Sequence, residues 1–280
     1  MIKISNVSYA IGGKEILNDL SLEIPKGKVT ALVGANGAGK STLMKILAGV
    51  QQPTEGQVMV DGKSVTIESC RSAMNFGITL IHQELNLADN LDVGANIFLG
   101  REPTKFGLID RAKIHRDAKQ YLDMVGLELS PVTLVKDLSI GKQQMVEIAK
   151  ALSAGARVLI MDEPTSSLSS RETERLFELV KGLRRKGVSV IYISHRLGEV
   201  KELADRVCVL RDGENAGDLT KQEISHDNLV RLMVGRDLSQ FYAHEPQKPG
   251  EVVLEVQDLV TPAWPQQKLT FSVKAGEIVG

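Results

Sequence analysis

The chain is predicted to fold as an α/β domain around a mostly parallel sheet, on three observations. An apolar run at 29–33 leads through a glycine-rich turn into a helix-like run marked by Leu43, Ile46 and Leu47. Two more short apolar runs, at 158–161 and 188–193, flank an amphipathic stretch carrying Leu176, Leu179, Val180 and Leu183. Strands that alternate with helices in this way pair in parallel through crossover connections. Between the two groups, roughly 85–154 has helical periodicity, as at Ile114, Ala118, Tyr121, Leu122 and Val125, with no strong strand. That pattern predicts a helical subdomain inserted into the core.

Taken in order, Ile2, Ile4 and Val7, then Leu20, Leu22 and Ile24, alternate as two half-buried strands of an antiparallel β-subdomain, joined by a Gly12-Gly13 turn. Tyr9 ends the first of them, placed either to stack on an adenine ring or to pack across the strand pair. The stretch Gly34-Ala35-Asn36-Gly37-Ala38-Gly39-Lys40-Ser41-Thr42 then fits the pattern G-x-x-x-x-G-K-[ST] between strand and helix. Its glycines let the backbone curl so that successive N–H groups converge, and the helix N-terminus adds partial positive charge at the same spot. All nine residues are candidate nucleotide ligands. Lys40 is placed to reach the β- and γ-phosphates, and the Ser41 hydroxyl to ligate Mg²⁺.

Further on, Pro53 and Gly56 break the chain, and 58–60 with Asp61-Gly62 reads as a hairpin strand and its turn. A short strand at 78–81 ends at His82-Gln83-Glu84. The buried run at 158–161 ends in two carboxylates, Asp162 and Glu163. Carboxyl ends of parallel strands line the ligand crevice. Asp162 is thereby expected to hold Mg²⁺ through water, and Glu163 to polarise the attacking water as general base. A last antiparallel piece at 207–210 with Asp212-Gly213 closes the core, and 228–234 forms one more helix.

Composition narrows the partners. Lys plus Arg (34) and Asp plus Glu (35) balance, so no basic face marks a nucleic-acid footprint. Cys70 and Cys208 stand far apart and outside ligand-like spacing, which points to a reducing compartment. The N-terminus alternates like a strand without a signal-peptide core, and no apolar stretch approaches bilayer length. A soluble chain that meets a membrane only through a partner is expected.

After a domain at 1–237, the segment 238–250 has the proline, glycine and polar content of a linker. Beyond it the chain repeats itself: Leu254, Val256 and Leu259 echo Ile2, Ile4 and Val7, and the run from Leu269 to Ile278 echoes that from Leu20 to Val29. The expectation is that 251–280 is the start of a second, truncated copy of the first domain.

The phosphate loop, the helical insertion, Leu138-Ser139-Ile140-Gly141-Lys142-Gln143-Gln144, Asp162-Glu163-Pro164-Thr165 and Ile193-Ser194-His195 stand in the order found in ATP-binding cassette (ABC) ATPases, and the chain resembles that family. Within it the wording of the Leu138 to Lys150 stretch and the repeat resemble the tandem ATPases of bacterial ribose, galactoside and allose importers. The resemblance implies a P-loop NTPase fold and a cytoplasmic ATPase, peripheral at the inner face of the cell membrane, using ATP and Mg²⁺ to drive uptake of a small solute, a sugar. Its implied partners are integral-membrane permease subunits, a solute-binding protein beyond them, and a second ABC domain in cis or a dimer partner. Ser139 and Gly141, at a helix N-terminus, would close over ATP held by the opposite domain. Gln83 resembles the glutamine that touches Mg²⁺ and the attacking water, and His195 the switch histidine that contacts the γ-phosphate. His82, His115, His226 and His244 have no such context. Three departures stand out: Ile140 replaces a glycine, Lys142 a glutamine, and Ser169 an aspartate, the last putting equivalence of the two nucleotide sites in question. Family members that act on ribosomes or DNA carry long basic linkers or coiled coils, and this chain has neither.

Overall fold

The computed structural model describes residues 1–82, 85–235, 250–262, 264–277 and 279. Gln83, Glu84 and nearly all of the expected linker lie outside the described residues. The chain divides into two compact units, Met1–Arg236 and Asp237–Gly280.

The first unit begins with strands β1 (Ile2–Ile11) and β2 (Lys14–Ile24), antiparallel across the Gly12-Gly13 turn. Their inward residues, among them Ile2, Ile4, Val7, Leu20 and Ile24, are fully buried, as the alternation requires of a sheet wetted on one face. Strand β3 (Val29–Val33) is buried at all five positions, the mark of a central strand covered on both faces. The phosphate loop follows it and helix α1 (Lys40–Leu47) follows the loop. Strands β4 (Glu55–Val60) and β5 (Lys63–Val65) turn at Asp61-Gly62 and extend the first sheet to four strands in the order β2-β1-β4-β5. Helix α2 (Cys70–Asn75), capped by the Ser69 side chain, leads into β6 (Ile78–Ile81).

The helical region holds α3 (Val93–Phe98), α4 (Arg111–Met124) and α5 (Ile140–Ser153), N-capped in turn by Asp92, Asp110 and Ser139. It also holds what periodicity did not register: a two-stranded hairpin of β7 (Thr104–Lys105) and β8 (Leu108–Ile109). Strands of two residues are too short to show a period. Three side chains anchor the chain entering this region. Asn96 is fully buried, its Oδ1 accepting the Ala88 N–H at 2.7 Å and its Nδ2 donating to the Ala88 and Asp92 carbonyls at 3.0 Å. From α5, Glu147 accepts the Asn86 N–H at 2.9 Å while Lys150 donates to the Asn86 carbonyl at 2.9 Å.

The chain then returns to the core through β9 (Val158–Asp162), α6 (Ser170–Arg185), β10 (Ser189–Ile193), α7 (Leu197–Leu203), β11 (Arg206–Arg211), β12 (Glu214–Thr220) and α8 (His226–Val234). The second sheet has the order β12-β11-β3-β10-β9-β6. Here one expectation holds only in part: the run at 207–210 does pair antiparallel, with β12 across the Asp212-Gly213 turn, but on its other side it is a parallel neighbour of β3 inside the sheet. Its four residues, Val207 to Leu210, are all fully buried, a continuous apolar run of the kind parallel strands carry. The pleat sends neighbours to opposite faces. Leu159, Met161, Val190 and Tyr192 pack with α5 and α6, whereas Ile160, Ile191, Ile193 and Leu32 pack with α1 and the first sheet.

The second unit is an antiparallel hairpin of β13 (Val252–Thr261) and β14 (Trp264–Lys274). No helix among the described residues is long and apolar enough to cross a membrane.

Burial raises the Glu147 carboxyl above its ordinary range, against the opposing pull of Lys150 and the Asn86 N–H. The unfolded chain therefore ionises this group at lower pH than the folded one, and the native state carries a penalty once pH exceeds the raised value. Glu147→Gln, which keeps the acceptor for Asn86, is expected to raise the melting temperature at neutral pH. The gain should shrink as pH falls toward about 4.3, the ordinary glutamate value, and vanish below it. Thermal melts of both proteins across that range check the sign.

Candidate nucleotide site

The site forms where four parallel strands end side by side. In the ladder Ile193 pairs with Leu32 of β3 and with Asp162 of β9, while Val209 of β11 pairs with Val33. The phosphate loop thus leaves the sheet with β10 on one side and β11 on the other. Gly34 is confined by this crowding, because a Cβ there would overlap the Leu210 carbonyl oxygen. Gly39 caps α1 in a left-handed conformation (φ 96°) with no side-chain cap, so no side chain competes for the helix terminus. The first intrahelical bond runs from the Leu43 N–H to the Gly39 carbonyl at 2.9 Å. The amides of Lys40, Ser41 and Thr42 precede it, and an anion is the natural acceptor for such orphan donors.

Gly37, Gly39, Lys40, Ser41 and Thr42 line one open cleft of about 470 Å³. Sequence reasoning missed Lys14, Glu15, Ile16 and Asp212, which line the same cleft. The Asp212-Gly213 turn was legible, but its position beside the loop depends on the sheet order. Lys40 Nζ donates to the Gly34 and Ala35 carbonyls at 2.8 and 2.9 Å, which folds the lysine over the loop. Its burial lowers its pKa, opposed by Glu163 and then Asp162. Ala35 and Asn36 are exposed at the loop's crest. Ala38 differs from its neighbours, since its side chain packs into the core and its N–H donates to the Ala35 carbonyl at 3.2 Å. Tyr9 is half-buried, pairs with Leu17 across β1 and β2, and packs against the core.

On the neighbouring strand ends, Glu163 takes a left-handed backbone (φ 46°), strained for a residue with a side chain. Its N–H donates to the Ile193 carbonyl at 3.0 Å, and its Oε1 lies 3.1 Å from His195 Nδ1. The half-buried Asp162 carboxyl is raised above the usual aspartate range, by burial first and then by Glu163, with Lys40 pulling the other way. A carboxylate so placed favours a nearby cation. The Ser41 hydroxyl and the Asp162 carboxylate are hard oxygen donors of the type Mg²⁺ takes. No group of three or more His, Cys, Asp or Glu among the described residues could hold a metal by itself. The donor set therefore fits an ion that brings phosphate and water ligands with it.

Ser139 and Gly141 lie elsewhere. Ser139 caps α5, accepting the Lys142 N–H at 3.4 Å, and its hydroxyl donates to Glu172 Oε1 at 3.5 Å. The Glu172 carboxylate covers Gly141 so closely that a Cβ there would overlap it. Both residues border a cleft of about 970 Å³ between α5 and α6 that shares no lining residue with the phosphate cleft. Ser169, where an aspartate was expected, caps α6 in a reciprocal capping box with Glu172. That S-x-x-E spacing was legible in the sequence. Of the other histidines, His115 lies 3.1 Å from Asp92 and His226 is exposed, while His244 is outside the described residues.

A glycine-lined phosphate loop at the carboxyl edge of this sheet, beside a lysine and a carboxylate pair, defines a nucleotide-binding domain of the P-loop class. The family profile described as "ABC transporter" matches residues 17–166, and the chain belongs to that family. It is similar to the "Ribose import ATP-binding protein RbsA" of Caldanaerobacter subterraneus subsp. tengcongensis, at 45% identity over all of this chain and 56% of that protein. It is likewise similar to "RbsA 2" of Escherichia coli O157:H7, at 46% identity over all of this chain and 55% of that protein. The chain thus spans about half the length of the curated relatives it matches. Among solved structures, a nucleotide-free ATP-binding cassette from an ABC transporter superposes with a TM-score of 0.74 at 24% identity, over 84% of this chain and 99% of that one. A dimeric cassette in a post-hydrolysis state, bound to ADP and Pi, superposes with a TM-score of 0.67 at 27% identity, over 79% of this chain and 99% of that one.

The two crowded glycines should respond differently to alanine. At Gly34 the obstacle is the Leu210 carbonyl, which the sheet holds in place, so Gly34→Ala is expected to destabilise by about 1–3 kcal/mol. At Gly141 the obstacle is a side-chain end that can swing away at the expense of the α6 capping box, so Gly141→Ala should cost about 0.5–2 kcal/mol. Combining Gly141→Ala with Glu172→Ala should then cost less than the sum of the singles, read by denaturant unfolding of all three variants.

Proposed function

We propose that the chain is the ATP-hydrolysing cassette of an importer that moves a small solute, a sugar, through separate membrane subunits. The observation that carries the reading is the Glu163–His195 contact at 3.1 Å, made across adjacent strand ends beside the phosphate loop. In this reading the loop amides and Lys40 bind the β- and γ-phosphates, and Glu163 takes the proton of the attacking water. His195 orients Glu163 and contacts the γ-phosphate, while Tyr9 meets the adenine. Ser41, Asp162 and Gln83 would hold Mg²⁺, which neutralises charge on the phosphates. The left-handed backbone of Glu163 supports its role, because strain of that kind collects where a side chain is aimed for chemistry.

Hydrolysis in this scheme needs a second cassette. The helix terminus at Ser139 and Gly141 borders a different cleft from the phosphate loop, so its anion site is suited to a nucleotide held by an opposing domain. Residues 251–280 are proposed to begin that second domain, with 1–237 as the first and 238–250 as linker. The internal geometry of the hairpin supports this. Val256 pairs with Phe271 and Leu259 with Leu269, as Ile4 pairs with Leu22 and Val7 with Leu20. Asp258 has φ 50° where Asn6 has φ 51°. The amides of both donate to a hydroxyl on the partner strand, Thr270 at 3.1 Å and Ser21 at 2.9 Å. Names of the relatives support ribose-type sugars as the cargo class; a membrane permease, a solute-binding protein and a position at the inner face of the membrane are proposed with the importer reading itself. Closure of two cassettes on ATP and their release after hydrolysis would move the docked permease helices.

Two substitutions separate binding from chemistry. Lys40→Ala removes charge-assisted contacts worth about 1.5–3 kcal/mol, so nucleotide affinity is expected to fall roughly tenfold to hundredfold by calorimetry. Glu163→Gln keeps the shape but loses the base. Its affinity for Mg·ATP should be retained, and kcat of the cassette assembled with its permease should fall by about 10²–10⁴. Normal turnover by Glu163→Gln would remove Glu163 from the base role.

A further inference from the structure

Behind the reacting edge sits a carboxylate that the scheme above does not use. Glu199, in the first turn of α7, is buried and draws donors from three directions. Thr165 Oγ1 donates at 2.8 Å, Tyr192 Oη at 2.8 Å and Ser194 Oγ at 3.0 Å, with Arg196 at 3.4 Å on the solvent side. Thr165 and Ser194 are themselves buried. Ser194 also accepts the Arg196 N–H at 3.0 Å, which closes a tight turn around His195.

The places these donors occupy matter more than their number. Thr165 lies two residues after Glu163, in the segment that leaves β9. Ser194 directly precedes His195, in the segment that leaves β10. Beyond the ladder, the two segments are joined on the front by the Glu163–His195 contact and at the back by Glu199. An acid serving only the amino end of α7 could point to solvent. Burying a carboxylate is favourable only with donors such as these around it.

We propose that Glu199 is a positioning residue for hydrolysis, which clamps the segments carrying Glu163 and His195 and so sets the separation of the two groups. The proposal rests on the reading of Glu163 as base and His195 as its partner. Displacement of a reacting group by about 1 Å costs on the order of a hundredfold in rate. The Glu199 carboxylate is taken up by Thr165, Tyr192 and Ser194 and does not line the phosphate cleft, so its loss should appear in kcat and leave nucleotide affinity alone.

The test uses the full-length protein assembled with its permease, measuring Mg·ATP affinity, KM, kcat and melting temperature for Glu199→Gln, Thr165→Val, Ser194→Ala and Tyr192→Phe. Glu199→Gln is expected to lower kcat by about tenfold to hundredfold with affinity and KM within about twofold. Thr165→Val and Ser194→Ala should each reproduce part of that loss. Tyr192→Phe removes a donor whose backbone the β9–β10 ladder already holds, rather than one in either segment beyond the ladder. It should lower the melting temperature and leave kcat within about twofold. Adding Glu199→Gln to Glu163→Gln should produce little further loss, because the clamp acts through the base. Unchanged kcat in Glu199→Gln, or a parallel fall of affinity and kcat, overturns the proposal. If Glu199→Gln does not fold, Thr165→Val and Ser194→Ala decide by the same split. Stalled Glu163→Gln beside an active Glu199→Gln refutes the clamp alone, whereas an active Glu163→Gln refutes the base assignment.

Discussion

The constraint on which the rest depends is the parallel insertion of β3 between β10 and β11. All five β3 residues are buried, so the strand has no solvent face and its register is held by packing on both sides. That register delivers the phosphate loop to the same edge at which β9 and β10 release Glu163 and His195. It also brings the Leu210 carbonyl against Gly34, which restricts that position to glycine. Anion binding by backbone amides is demanding of position, since an amide displaced from the phosphate contributes little. A sheet packed on both faces supplies that rigidity.

Electrostatics at the edge follow from the same geometry. Asp162 and Glu163 stand next to each other with Lys40 close by, and burial weighs on both Asp162 and Lys40. Nucleotide phosphates with a divalent ion would relieve both at once, the ion facing the carboxylates and the phosphates facing the lysine. The α5 terminus obeys a different balance. Glu172 covers Gly141 and accepts from Ser139 while it completes the α6 cap. One carboxylate therefore links the amino terminus of α5 to the segment that follows Asp162 and Glu163.

Much of this was legible from the order of residues. The phosphate loop was readable because its pattern is local: glycine spacing, a preceding apolar run and a following helix all lie within a few residues. The paired acids at the end of β9 and the serine that opens α5 are local in the same sense. The parallel sense of β11 and the short hairpin at Thr104–Ile109 were not readable. The first depends on which strand becomes its neighbour, and the second is too brief to carry a period. Ser169 illustrates the difference within one residue. Its lack of a carboxylate was visible, yet its function as a helix cap became clear only with the Glu172 side chain returned to it.

By itself, the sequence determined the α/β class, the place of the glycine-rich loop from Gly34 to Thr42 between strand and helix, the acid pair at the end of its strand, and the repeat of the opening strands. Each of these is written in short-range patterns of apolar, glycine and charged residues. Only the tertiary structure decided that Glu163 meets His195, that Ser139 and Gly141 border a cleft apart from the phosphate loop, and that Glu199 joins Thr165 to Ser194. Those contacts bridge strands and helices distant along the chain, and their distances are set by sheet register and packing, which no local pattern encodes.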